Sequence, residues 1–73
     1  MYKRFNYRDG KLMGVYKNTK DGIITVNSFS VGLNNVLDWN EYYTEENGYY
    51  KTTKKVFDKV YNQTMERIKK ANS

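Results

Sequence analysis

The chain has no cysteine, no histidine and no proline, and only five glycines among its 73 residues. Without cysteine there is neither a disulfide staple nor a thiol nucleophile. Without histidine the commonest general base and the imidazole metal ligand are both missing. Ser-His and Cys-His catalytic arrangements are therefore excluded. Neither G-x-x-x-x-G-K-[ST] nor G-x-G-x-x-G occurs, so no phosphate-cradling loop is expected. From these absences the chain is expected to be a non-enzymatic binding protein, with no cofactor, no metal and no small-molecule substrate.

Long apolar runs are also missing. No stretch approaches the ~20 residues that span a bilayer, so no membrane partner is expected. The opening Met1-Tyr2-Lys3-Arg4-Phe5-Asn6 carries charge with no apolar run behind it, unlike a signal peptide. Together with the lack of cysteine, this gives the expectation of a cytoplasmic protein. A domain of this size buries only roughly 60% of its unfolded surface. The 73 residues are accordingly read as one domain with one core, built from aromatic and aliphatic side chains or completed by a partner chain such as a second copy.

What is present is unevenly distributed. The net charge of +5 divides into three segments. Residues 1–37 hold six bases and two acids, residues 38–48 hold four acids and no base, and residues 49–73 hold seven bases and two acids. Tyrosine is abundant, with eight residues, and occurs as the pairs Tyr42-Tyr43 and Tyr49-Tyr50.

Asp9-Gly10 separates two β-favouring runs and predicts a two-residue hairpin turn with positive φ at both positions. In that register Arg8 faces Lys11, Tyr7 faces Leu12, Phe5 faces Gly14 and Lys3 faces Tyr16. Asp21-Gly22 marks a second turn before the β-branched run Ile23-Ile24-Thr25-Val26. A three-stranded antiparallel meander is expected over residues 2–27. Side chains alternate between faces along a strand. Phe5, Tyr7, Leu12 and Tyr16 would form the core side, and Tyr2, Arg4, Asn6, Arg8, Lys11, Met13, Val15 and Lys17 a basic outer face.

Val56, Phe57, Val60, Tyr61, Thr64, Met65 and Ile68 share one side at helical spacing, with Thr52 or Thr53 as N-cap and Lys69 and Lys70 complementing the dipole at the end. A C-terminal helix is expected within residues 49–71, its stripe extending back to Tyr49 and Tyr50. Residues 28–48 support two readings. Phe29, Leu33, Val36 and Leu37 have helical spacing and favour a short helix around residues 33–42, whereas Asn47-Gly48 suits a hairpin turn. The fold class expected is α+β, a small antiparallel sheet packed against the C-terminal helix.

Two binding surfaces compete. Tyr2, Arg4, Arg8, Lys11 and Lys17 on the basic sheet face suit nucleic acid, the cations meeting phosphates and the ring a base or sugar. Trp39, Glu41, Tyr42, Tyr43, Tyr49 and Tyr50 suit a protein partner, because tyrosine is enriched at interfaces. The second reading would make the chain a regulator or inhibitor of the kind encoded by phages and mobile elements. The acids Asp38, Glu41, Glu45 and Glu46 lack the spacing of a calcium loop and are read as a solvated face or as ion-pair partners within the fold.

Overall fold

A computed structural model describes residues 1–6, 9–35 and 38–72. Five strands, Tyr2–Asn6 (β1), Leu12–Thr19 (β2), Gly22–Asn27 (β3), Val31–Asn34 (β4) and Tyr49–Thr52 (β5), form one antiparallel sheet in the order β4-β3-β2-β1-β5. A short helix Trp39–Tyr42 (α1), a 3-10 turn at Glu45–Asn47 and a long helix Lys54–Ala71 (α2) complete the chain. The α+β class holds, with five strands where the meander supplied three.

The first hairpin keeps the expected pairs Phe5–Gly14 and Lys3–Tyr16, but its register shifts between Phe5 and Asn6. Leu12 therefore pairs with Asn6 rather than Tyr7. In the turn that follows, Gly10 has φ of 86°. Asp9 accepts a hydrogen bond from the Lys11 amide at 3.0 Å. Tyr7 and Arg8 lie outside the described residues.

The second and third turns are built by side chains that substitute for backbone. Thr19 Oγ1 accepts from the Asp21 amide and donates to the Gly22 carbonyl, closing the β2–β3 hairpin around Lys20 and Asp21. Asn27 Oδ1 accepts from the amides of both Phe29 and Ser30 at 2.9 Å, which returns the chain into β4. Such Asx geometry is the reason asparagine initiates turns. It places residues 31–34 in a strand, against the expected helix over 33–42, of which only α1 forms. Val36 and Leu37, two of the residues behind that expectation, are outside the described set.

Cross-strand partners share a face, so the register assigns every side chain to one side of the sheet. On one side lie Tyr2, Arg4, Val15, Lys17, Ile24, Val26, Val31, Leu33, Tyr50 and Thr52. Helix α2 packs here, over β2, β3 and β4, with Phe57 buried against Val15 and Val26 and with Tyr2, Ile24, Val31, Val60 and Tyr61 around them. The side expected to be the open basic face is thus the one that receives the helix, and Val15 is 0% exposed.

On the other side Trp39 and Tyr43 bury themselves against Ile23, flanked by Tyr16 and Tyr49. The sheet is covered on both faces, by a helix on one and an aromatic layer on the other.

Helix α2 starts where its cap dictates. Thr53 Oγ1 accepts from the Val56 amide at 3.2 Å, and Lys69 and Lys70 occupy the last turn. Of the expected stripe, Phe57 and Thr64 are buried, Val60, Tyr61 and Ile68 are half-buried, and Val56 and Met65 remain exposed. A lone helix on a flat sheet meets it along a narrower line than in a bundle, so the margins of its stripe stay wet. Thr64 Oγ1 donates to the Asn27 carbonyl at 2.7 Å and Arg67 to the Ser28 carbonyl at 2.8 Å, fastening the helix to the β3–β4 turn. Tyr49 and Tyr50, expected to extend the helix, form β5 instead. Among the described residues no helix is long and apolar enough to cross a membrane.

Candidate nucleic-acid interface

The expected basic site is divided by the fold. Tyr2 is half-buried, its ring 5.4 Å from that of Phe57. Lys17 Nζ stands 5.6 Å from the Tyr2 ring centroid, and the Arg4 guanidinium 5.9 Å from that of Tyr50. Lys11 is exposed at the opposite end of the hairpin, and Arg8 lies outside the described residues. Tyr2, Arg4 and Lys17 therefore remain together on the helix side, while Lys11 does not join them.

Tyr50, which sequence reasoning grouped with the protein-facing aromatics, stands instead beside Arg4. Arg4 and Tyr50 are direct cross-strand partners on β1 and β5, as are Tyr2 and Thr52 one step further along the same face. Tyr50 is 45% exposed, because α2 packs over the other half of this face. A strand reading of Tyr49-Tyr50-Lys51-Thr52 would have put Tyr50 and Thr52 on one side. Lys54, Lys55 and Lys59 follow on α2, all exposed. Lys54 forms an i,i+4 pair with Asp58 at 2.7 Å, and that hydrogen bond raises its pKa.

The alternative, aromatic site is largely consumed by the core. Trp39 and Tyr43 are buried, their rings stacked 5.2 Å apart. Tyr49 is half-buried, with ring contacts to Tyr43 at 4.7 Å and to Tyr16 at 5.2 Å. Burial first, and then repulsion from neighbouring phenols, raises the pKa of Tyr16, Tyr43 and Tyr49, which marks a dry aromatic cluster. Lys3 reaches into it from β1, donating to the Tyr43 carbonyl, with Nζ 4.9 Å from the Trp39 ring centroid. Of each tyrosine pair one member turns outward: Tyr42 and Tyr50 are both 45% exposed, but on opposite sides of the sheet. Trp39, Glu41, Tyr42, Tyr43, Tyr49 and Tyr50 are thus not one surface.

The four acids occupy the aromatic-layer side. Asp38 is spent as the cap of α1, accepting from the amides of Asn40 at 2.8 Å and Glu41 at 3.1 Å. Glu41, Glu45 and Glu46 are exposed there. Among the described residues no three acids converge to hold a metal ion. The sheet consequently separates charge in part: the −4 segment lies over one face, offset there by Lys3 and Lys51, and α2, with six bases and two acids, lies over the other. The chain matches no family model, no curated protein and no solved structure.

Proposed function

We propose that this chain is a non-enzymatic nucleic-acid-binding module that turns the helix side of its sheet toward the phosphate backbone. The observation that carries this reading is the sorting of charge across the sheet. Opposite charges interleaved on one surface would cancel. Here the acidic segment is held behind the sheet, roughly two layer spacings of about 10 Å away. Through solvent, that distance exceeds the Debye length of about 8 Å at physiological ionic strength, so the acids weaken the field in front of α2 only in part. Arg4, Lys17, Lys55 and Lys59 are the residues assigned to phosphate contact. A protein partner at the acidic segment is less favoured, because its strongest anchors, Trp39 and Tyr43, already fill the core.

The test is the salt dependence of oligonucleotide affinity. Each phosphate contact contributes about 0.9 to the slope of log affinity against log salt on duplex DNA, and about 0.7 on a single strand. Changing Lys55→Glu and Lys59→Glu together should weaken binding to every sequence and flatten the slope by about 1 to 2. Both side chains are exposed, so the melting curve should hardly move. Affinity indifferent to salt, or a double variant that binds like the native chain, would reject the proposal.

A further inference from the structure

Building on the reading above, we infer that the nucleic acid taken by this surface is single-stranded, with a base stacked on Tyr50 and the adjoining phosphates held by Arg4, Lys17 and Lys54. On the β1–β5 half of the helix-side face α2 reaches Tyr2, through Phe57, and leaves Tyr50 exposed. There, Tyr50 and Arg4 form one cross-strand pair, and Tyr2 and Thr52 the next. The Tyr50 ring is 45% exposed on the edge strand, with the Arg4 guanidinium at 5.9 Å on its inner side. Tyr2 is held against Phe57 with Lys17 above it, and exposed Lys54 follows within two residues of Thr52. Two rings and two cations therefore lie side by side across β5, β1 and β2, with Lys54, paired to Asp58, at the start of α2.

Shape selects between strand states. A duplex shows only base edges, and its major groove is read by an element that protrudes into it. Helix α2 stands on β2, β3 and β4 beside these residues. A duplex keeps its base faces stacked inside, so it has none to lay on the exposed Tyr50 ring. A flexible strand can splay a base onto the open ring while its backbone follows the cations, the combination by which single strands are generally held. Every base has a π-face, so this surface should discriminate little among sequences.

The experiment compares fluorescence-labelled oligonucleotides of about 12 nucleotides, single-stranded and duplex, by anisotropy at low salt. The single strand should bind at least about 10-fold more tightly. Tyr50→Val keeps a strong strand former but removes the ring, and should lower single-strand affinity roughly 5- to 100-fold with an unchanged circular dichroism spectrum. Tyr50→Phe should stay within about 2-fold of the native chain. Duplex binding as tight as single-strand binding, or native affinity in Tyr50→Val, overturns the inference while leaving a salt-dependent polyanion surface standing. Absence of binding to either oligonucleotide overturns both.

Discussion

Gly48 shows how a single position fits the segment after α1 onto the sheet. It ends the 3-10 turn with φ of 91°, in the left-handed region that side chains avoid. A Cβ there would stand 2.6 Å from Phe5 Cε2, so the ring of β1 rests directly on the glycine backbone. Gly48→Ala combines backbone strain with a ring that must move, and should cost about 1–3 kcal/mol. In a domain of this size each kcal/mol lowers Tm by about 4–8 °C. A thermal melt of the variant within 2 °C of native, roughly the error of that conversion, would show that Phe5 yields without cost. The dipeptide Asn47-Gly48 suggested a hairpin turn, and it instead closes a 3-10 turn that leads from α1 into β5. That the glycine faces Phe5 was not readable, because the contact joins residues 43 positions apart through a strand pairing that local pattern cannot reveal.

At the scale of elements, legibility followed how much of an element's stabilisation is local. Helix α2 carries a long stripe and a threonine cap, both local, and was placed to within a few residues. The strands β4 and β5 have four residues each; β5 takes its form from β1 at the far end of the chain, and β4 from β3 through the turn built on Asn27. Their apolar residues, too few to establish a period of two, fell by chance at helical spacing. Helix α1, also four residues, is far below the length at which a helix stands alone. It exists because Asp38 caps it and Trp39 and Tyr43 stack on the sheet.

This aromatic layer has a testable pH signature. Tyr16, Tyr43 and Tyr49 have pKa values raised above the ordinary phenol value of 10.0, burial being the first cause. The unfolded chain therefore releases these protons at lower pH than the folded one. The stabilisation linked to them is fully present below about pH 10 and is lost as pH rises from there toward the folded-state values. The urea midpoint should be flat between about pH 8 and 9 and fall above 10, with tyrosinate absorbance near 295 nm rising in step with unfolding. A midpoint unchanged to pH 11, about one unit above the ordinary phenol value, would mean that the layer is wet.

For the whole molecule, the decisive property is that one sheet separates charges which are adjacent in the sequence. The basic–acidic–basic order was visible in the chain, and so were Arg4 and Lys17 as phosphate candidates. The sidedness was not. The charged segments are assigned to faces by the return of β5 along β1 and by the crossing of α2, both non-local. The proposed surface therefore differs from the hairpin face read at first: it has lost Lys11 and gained Tyr50, Lys54, Lys55 and Lys59. Its most direct test is an amide chemical-shift map during titration with a single-stranded oligonucleotide of about 12 nucleotides at low salt. The amides of Arg4, Tyr50, Thr52, Lys55 and Lys59 should move together and saturably, while those of Glu41, Tyr42, Glu45 and Glu46 stay in place. Shifts centred on residues 38–47, or none at saturating oligonucleotide, would contradict a nucleic-acid surface on the helix side of the sheet.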